Sequence, residues 1–144
     1  MEGTFYYTTN VEWTEGRKGN LTSDSFPEVT VATPPEFTGG VAGVWSPEHL
    51  YVASANICLM TTFLAIAENS KLEFASFKSE GTGKLEKVDG KFMISEIELK
   101  PTIFIMQEKD KERAQRIVEK AEKACLVSNS MKTKIILSPE IILK

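Results

Sequence analysis

The sequence predicts a single domain of the α+β class over residues 1–144. Segments rich in β-branched and aromatic residues, which are typical of strands, follow one another in groups. Helical patterns lie between these groups, whereas in the α/β class helices alternate with single strands. One helical pattern is apolar on nearly every side, which is typical of a helix at the centre of a core. A chain of 144 residues can also bury roughly two thirds of its unfolded surface in one domain.

The first third of the chain is typical of short strands separated by turns. Strands are predicted over 4–13, 21–23 and 29–32, with a turn over 15–20 between the first two. The Pro- and Gly-rich stretch TPPEFTGGVAGVWS, residues 33–46, predicts a loop. Loops of this length in a small domain are usually functional or ordered by a partner.

The central helix has a well-marked start. Ser46 is a good N-cap, Pro47 suits the first helical position, and Glu48 complements the positive end of the helix dipole. From Leu50 onward the residues are apolar all round, which predicts a helix that is buried on every side and ends near 68–70.

The second half predicts a long hairpin, one helix or two, and a final strand. The dipeptide Asp89-Gly90 is typical of a tight hairpin turn, and Pro101 indicates an edge position or a bulge in the second strand of the hairpin. The bounds predicted here are strands over 72–88 and 92–106, a helix over 110–125, a strand over 132–138 and a tail over 139–144.

Composition, charge and motifs argue against several classes of function for this protein. The net charge is −3 and no run of Lys and Arg is interleaved with aromatic residues, so nucleic-acid binding is not expected. The N-terminus lacks the regions of a signal peptide, and polar residues interrupt the apolar window 50–67, so we expect a cytoplasmic protein that does not span a membrane. The segment GTGK at 81–84 lacks the flanking residues of a phosphate-binding loop.

The two cysteines are the main candidates for chemistry. Cys58 lies within the apolar segment ANICLMTTFLAIA, and Cys125 lies 67 positions later on the apolar stripe of the second helix. This spacing fits neither a C-x-x-C redox motif nor paired zinc ligands. From the residues alone the thiols are either inert or a reactive pair, because apolar surroundings raise the pKa of a thiol unless a cation or a helix dipole offsets burial.

The single histidine does not complete a catalytic pair. His49 lies nine residues before Cys58, which on one helix is about 13 Å along the axis and on the opposite face. We therefore do not expect a Cys–His pair within one chain, or a metal site of His49, Cys58 and Cys125. We expect His49 to lie at the surface.

Three motifs resemble the OsmC/Ohr family of thiol peroxidases: TPPEFTGG at 33–40, SPEHLYVASANIC at 46–58 and CLVSNS at 125–130. The resemblance implies an OsmC-like β(3)-α-β(2)-α(2)-β subunit with a buried central helix, in an interwound homodimer. It also implies a cysteine peroxidase that reduces organic hydroperoxides, and hydrogen peroxide less well, with an external dithiol reductant and no metal or organic cofactor.

The resemblance further implies roles for four residues. Cys58 matches the attacking thiol, which becomes a sulfenic acid, and Cys125 matches the resolving thiol, which closes a disulfide. Arg17 in EGRKG and Glu48 match an arginine and a glutamate of the family, and a carboxylate can orient an Arg that stabilises a thiolate. Glu48 lies ten residues before Cys58, about 15 Å along a helix, so both partners could come from a second subunit.

Two other functions stay open. A dimeric protein could bind a small apolar ligand with idle cysteines, or a redox sensor could use the disulfide to alter partner binding. The resemblance also implies an apolar channel at the dimer interface, although aromatic residues of this kind are more often ordinary core residues. The channel candidates are Phe37, Trp45, Tyr51 and Phe63.

Overall fold

The computed structural model describes residues 3–144. The chain forms two compact units, one up to Leu50 and the other over Tyr51–Lys144. Within the described residues, seven strands and three α-helices follow the order strands, helix, strands, helices, strands. The predicted α+β class is confirmed, and the single domain over 1–144 stays a prediction.

The first unit contains a three-stranded antiparallel sheet. The strands β1 (Asn10–Glu15), β2 (Lys18–Thr22) and β3 (Val29–Ala32) lie in that order, with a bulge between Trp13 and Glu15. The bounds predicted for the third strand are confirmed. The first strand begins later than predicted and the second begins earlier, because the residues from Lys18 onward pair with both neighbouring strands instead of continuing the turn.

The loop after β3 follows a backbone path that requires glycine. The N–H of Phe37 donates to the carbonyl of Pro34 at 3.1 Å, and the N–H of Gly40 donates to the carbonyl of Phe37 at 2.9 Å. A Cβ on Gly40 would lie 2.0 Å from the Pro34 oxygen, which no side chain can satisfy. Gly39 has a φ of +80°, a conformation that favours glycine. The two glycines of TPPEFTGG are therefore required by the loop itself.

The central helix α1 (Pro47–Asn69) begins and ends where the sequence predicts. The Ser46 hydroxyl accepts a hydrogen bond from the backbone N–H of His49 at 3.1 Å, which is the geometry of an N-cap. By length and composition this 23-residue helix is apolar enough to cross a membrane, a property that the core helices of many soluble proteins share.

Helix α1 is buried on one face only. The buried face consists of residues that are at most 1% exposed and belong to the core: Ala55, Leu59, Phe63 and Ala67. On the other face Ile57 is 55% exposed, Met60 is 38% exposed and Leu64 is 41% exposed. The prediction of a helix buried on every side is therefore wrong for one chain, because the core covers a single face of this helix.

The second unit is built on a four-stranded sheet. The hairpin of β4 (Phe74–Val88) and β5 (Lys91–Ile105) turns at Asp89 and Gly90, whose φ angles of 52° and 78° are those of the predicted tight turn. The strands β6 (Lys134–Leu137) and β7 (Glu140–Leu143) pair in parallel with β5 along its other side.

Two predictions in this sheet are wrong. The segment predicted as a tail contains β7, whose residues pair with β5 from Thr102 onward. Pro101 is also not at an edge, because β5 lies between β4 and the two parallel strands. Pro101 is tolerated because β5 changes its partner from β6, which ends opposite Leu99, to β7 at that point.

Two helices complete the core of the second unit. Helix α2 (Lys111–Ala124) follows a 3-10 turn over Glu108–Asp110, and it buries the predicted apolar stripe. The buried residues of this stripe are Ala114, Ile117, Val118 and Ala121. Helix α3 (Leu126–Asn129) is a single turn, and Cys125 in extended conformation separates it from α2.

Candidate thiol site

Cys58 is sheltered on α1 without being sealed. Cys58 is 8% exposed, whereas the neighbouring Leu59 is 0% exposed, so Cys58 lies at the border of the buried face. The Cys58 Sγ lies 3.8 Å from the Thr62 Oγ1 one turn later. The spacing of four residues on α1 therefore places the Thr62 hydroxyl beside the Cys58 thiol.

Cys125 lies at the break between α2 and α3 and is 0% exposed. Its N–H donates to the carbonyl of Glu122 at 3.2 Å, which ends α2, and its carbonyl accepts the N–H of Asn129 at 3.0 Å, which begins α3. This break leaves the first N–H groups of α3 free of partners within that helix.

The fold brings the two predicted thiols together. Both are free thiols, and the Cys125 thiol donates a hydrogen bond to the Cys58 sulfur although the residues are 67 positions apart. The backbone N–H groups of Leu126 and Val127, at the start of α3, donate to the same sulfur. Cys58 therefore faces a set of donors that come from two helices distant in sequence.

The two thiols have opposite pKa shifts. Burial acts to raise the pKa of Cys58, but the hydrogen bonds from Cys125, the Val127 N–H and the Thr62 hydroxyl outweigh it and lower the pKa. Burial and the hydrogen bond that Cys125 donates to Cys58 both raise the pKa of Cys125. Of the two thiols, Cys58 is thus the one that ionises more easily. The donors that lower its pKa are neutral groups of the same unit, and none of them is a cation.

A second polar contact of Cys125 was not predicted. The Ser128 Oγ donates to the Cys125 Sγ at 3.4 Å, and the same hydroxyl lies within hydrogen-bonding range of the Glu122 carboxyl. Burial raises the pKa of Glu122, and Ser128 offsets part of this rise. The available sequence signal was spacing, because Glu122 and Ser128 lie three residues to either side of Cys125.

Arg17 lies in the turn between β1 and β2, against the loop after β3. A Cβ on Gly39 would lie 3.0 Å from the Arg17 Cγ and 3.1 Å from its Nε, so the side chain of Arg17 packs over this glycine. The carbonyl of Arg17 accepts the N–H of Thr33 at 3.3 Å. The TPPEFTGG motif thus shapes a surface that supports Arg17.

Glu48 occupies the first turn of α1, as predicted. Its Oε1 is buried and has no hydrogen-bond partner among residues 3–144. In that part of the chain no ion pair joins Glu48 to Arg17. The structure therefore brings Cys58 and Cys125 together, and it does not pair the two charged residues predicted for the site.

His49 is exposed at the surface, as predicted. Its Nδ1 shares a hydrogen bond of 2.7 Å with the Ser46 hydroxyl, and its ring meets the Trp45 ring edge-on at 6.3 Å. Across the described residues, no group of three or more His, Cys, Asp or Glu side chains could hold a metal ion.

The four aromatic residues considered for a channel have different surroundings. Phe63 is fully buried and stacks on Phe77 at 5.0 Å, so it is a core residue. The Tyr51 hydroxyl lies 2.6 Å from the Thr133 Oγ1 at the edge of the same core. Trp45 is 51% exposed and Phe37 is half-buried. The apolar channel at a dimer interface stays a prediction.

Residues 40–140 match the family model described as OsmC-like protein, and this segment contains Glu48, Cys58 and Cys125. The chain belongs to the OsmC/Ohr family. An organic hydroperoxide resistance protein of Xanthomonas axonopodis pv. citri is 29% identical to this OsmC/Ohr chain over 131 residues, which are 90% of the chain and 89% of that relative. The uncharacterised protein YmaD of Bacillus subtilis is 25% identical over 144 residues, 97% of the chain and 94% of YmaD.

Solved structures have the same fold as this OsmC/Ohr chain. An OsmC-like protein of unknown function from Vibrio cholerae superposes with a TM-score of 0.86 at 19% identity, over 94% of this chain and 99% of that one. An organic hydroperoxide resistance protein from Elizabethkingia anophelis superposes with a TM-score of 0.78 at 22% identity, over 100% of both chains. The predicted OsmC-like subunit fold is therefore confirmed.

Proposed function

We propose that this protein is a thiol-dependent peroxidase that reduces organic hydroperoxides and, less well, hydrogen peroxide. The observation that carries the proposal is the pair of adjacent free thiols, in which the Cys125 thiol and the N–H groups of Leu126 and Val127 donate to the Cys58 sulfur. The relative named organic hydroperoxide resistance protein, at 29% identity, supports the substrate class.

In the first step the Cys58 thiolate attacks the terminal oxygen of the hydroperoxide. The O–O bond breaks, Cys58 becomes a sulfenic acid, and the alkoxide takes up a proton to leave as an alcohol. The donors that lower the Cys58 pKa increase the thiolate fraction at neutral pH. Cys58 is 8% exposed, so a peroxide can approach it from solvent.

In the second step the Cys125 sulfur attacks the Cys58 sulfur. An S–S bond forms, the S–O bond of the sulfenic acid breaks, and the hydroxyl leaves as water. The contact between the two thiols in the reduced protein means that little movement is needed for this attack. An external dithiol then reopens the disulfide by thiol exchange, and a reducing compartment such as the cytoplasm suits that step.

The second subunit of a homodimer is the proposed source of further groups for Cys58. Glu48 has a buried carboxylate oxygen without a partner, and Arg17 has no ion pair with it within residues 3–144. A guanidinium is the donor that a carboxylate orients best. We propose that Arg17 and Glu48 act on the Cys58 of the other subunit, where Arg17 would stabilise the thiolate.

Mass spectrometry after one equivalent of an organic hydroperoxide tests the function. We expect the chain to lose two hydrogen atoms and the change to map to a Cys58–Cys125 disulfide. The Cys58→Ser variant should consume no peroxide. The Cys125→Ser variant should complete one turnover and then accumulate sulfinic and sulfonic acids at Cys58.

The alternatives give different results in the same experiment. An unchanged mass would contradict the peroxidase and favour a protein that binds a small ligand. Oxidation to the disulfide without turnover in excess dithiol would favour a redox sensor instead. Retained peroxide consumption in Cys58→Ser would remove Cys58 from the attacking role.

A further inference from the structure

The resolving step of the proposed peroxidase has an unmet requirement, and this inference rests on that proposed function. Cys125 must lose its proton to become a good nucleophile, since the thiolate and not the thiol attacks sulfur. Cys125 is 0% exposed, so its proton is not in contact with bulk water. A group inside the protein is needed to take the proton.

The polar groups that contact Cys125 form a short chain. Ser128 is 7% exposed, and its hydroxyl lies 3.4 Å from the Cys125 Sγ. The same hydroxyl lies within hydrogen-bonding range of the Glu122 carboxyl. The Glu122 Oε1 is itself buried and has no hydrogen-bond partner in the described part of the chain. A buried carboxylate oxygen left unsatisfied is costly to folding, which calls for a functional explanation.

We propose that Ser128 and Glu122 form a proton relay that activates Cys125 for the resolving step. The Cys125 proton moves to the Ser128 oxygen while the Ser128 proton moves to the Glu122 carboxylate. The Cys125 sulfur then forms the S–S bond as the S–O bond of the Cys58 sulfenic acid breaks. The departing hydroxide takes up a proton from solvent on the exposed side of Cys58 and leaves as water, and Glu122 then releases its proton to solvent, so the step consumes no net acid or base.

The relay is coupled to oxidation of Cys58. In the reduced protein the Cys125 proton is held by the hydrogen bond to the Cys58 thiolate, and the Ser128 hydroxyl donates to Cys125. Oxidation of Cys58 removes that thiolate. The Cys125 proton is then released to turn toward Ser128, whose hydroxyl can reverse its donor and acceptor roles. The relay therefore operates when there is a sulfenic acid to resolve.

Rapid-quench kinetics on the full-length protein separates the two chemical steps. Sulfenic acid at Cys58 is trapped with dimedone, and the disulfide is followed by mass. We expect Glu122→Gln and Ser128→Ala each to slow disulfide formation at least about tenfold, as the loss of an internal base does. The rate of sulfenic acid formation should not change, because neither residue is a donor to the Cys58 thiolate.

Two further variants distinguish a relay from a structural role. Ser128→Thr keeps the hydroxyl and should restore most of the resolving rate. The double variant Glu122→Gln with Ser128→Ala should be no slower than the slower single variant, because both changes break one path. The matched control is Glu119→Gln, an exposed carboxylate on the same helix that bonds Gln115 at 2.7 Å.

Resolution at the normal rate in Glu122→Gln would overturn the relay, as would failure of Ser128→Thr to resolve faster than Ser128→Ala. Equal slowing in Glu119→Gln would also overturn it, because the effect would then come from any charge change on α2. Failure of the unaltered protein to form sulfenic acid would instead reject the peroxidase itself. The two failures are therefore distinguishable in one data set.

Discussion

The pKa difference between the thiols depends on which atoms each sulfur faces. Cys58 receives hydrogen bonds from a thiol, a hydroxyl and two backbone N–H groups, which together outweigh its burial. Cys125 is buried more completely and gives its own proton to one of these bonds. Neutral donors can thus favour a thiolate in a largely apolar helix, where the sequence analysis required a cation or a helix dipole.

The pH dependence of alkylation tests this account. The rate of Cys58 alkylation by iodoacetamide should rise with a midpoint below that of an ordinary thiol, since hydrogen bonds to its sulfur lower its pKa. Cys125→Ala removes a donor from the Cys58 thiolate and should raise the Cys58 midpoint. Cys125→Ser keeps a donor and should raise it less. Equal midpoints in the two variants would contradict the role of the Cys125 hydrogen bond.

At the scale of elements, the loop after β3 is held in shape by contacts within its own backbone. Gly40 allows the backbone to approach Pro34 so closely that an added Cβ would lie 2.0 Å from its carbonyl oxygen. Gly39 adopts a φ of +80°, and the Arg17 side chain packs over it. A loop rich in Pro and Gly is thus specified by backbone contacts, and its shape fixes the surface beneath Arg17.

Glycine substitutions in this loop should differ in cost. Gly40→Ala forces a clash with backbone, so we expect it to lower the free energy of unfolding by about 3 kcal/mol or more. The matched control is Gly43→Ala, which has a φ of +77° and open space around its Cβ. Strain alone should make it cost about 1 kcal/mol. Urea denaturation measures both, and equal losses would show that the loop relaxes around Gly40.

Elements with strong local signals could be predicted from the sequence. The N-cap at Ser46, the turn at Asp89-Gly90 and the apolar period of α2 each act over a few residues, and the structure has all three. Strand β7 could not be predicted, because its four residues are a strand only through pairing with β5. The exposed face of α1 was missed for the same reason, since burial depends on which elements pack against a helix.

The candidate site was predicted only in part. The resemblance to known motifs singled out Cys58 and Cys125, and their contact depends on the packing of α1 against the break between α2 and α3. Ser128 and Glu122 were missed because a serine and a glutamate on a helix are ordinary surface residues unless the fold buries them. Burial and unpaired atoms are properties of the tertiary structure alone.

At the scale of the whole molecule, helix α1 presents an apolar face that one chain does not cover. Ile57, Met60 and Leu64 are 55%, 38% and 41% exposed, and they follow one another at helical spacing. Contiguous apolar surface of this kind marks an interaction site. The opposite face of the same helix carries core residues and Cys58 at its border, so a second copy seated here would also shelter the thiol. We propose that this face is part of the homodimer interface.

Sedimentation equilibrium tests that assembly. The unaltered protein should sediment at twice the chain mass of 16.0 kDa. Leu64→Asp places a charge within the proposed interface, where burial without a partner costs about 3 kcal/mol or more, and should raise the dimer dissociation constant at least about a hundredfold. Lys120→Asp, on the exposed side of α2, should leave the mass unchanged. If Arg17 of the second subunit stabilises the Cys58 thiolate, the Leu64→Asp monomer should also alkylate with a higher midpoint than the dimer. A Leu64→Asp protein that remains dimeric would show that the interface lies elsewhere on the chain.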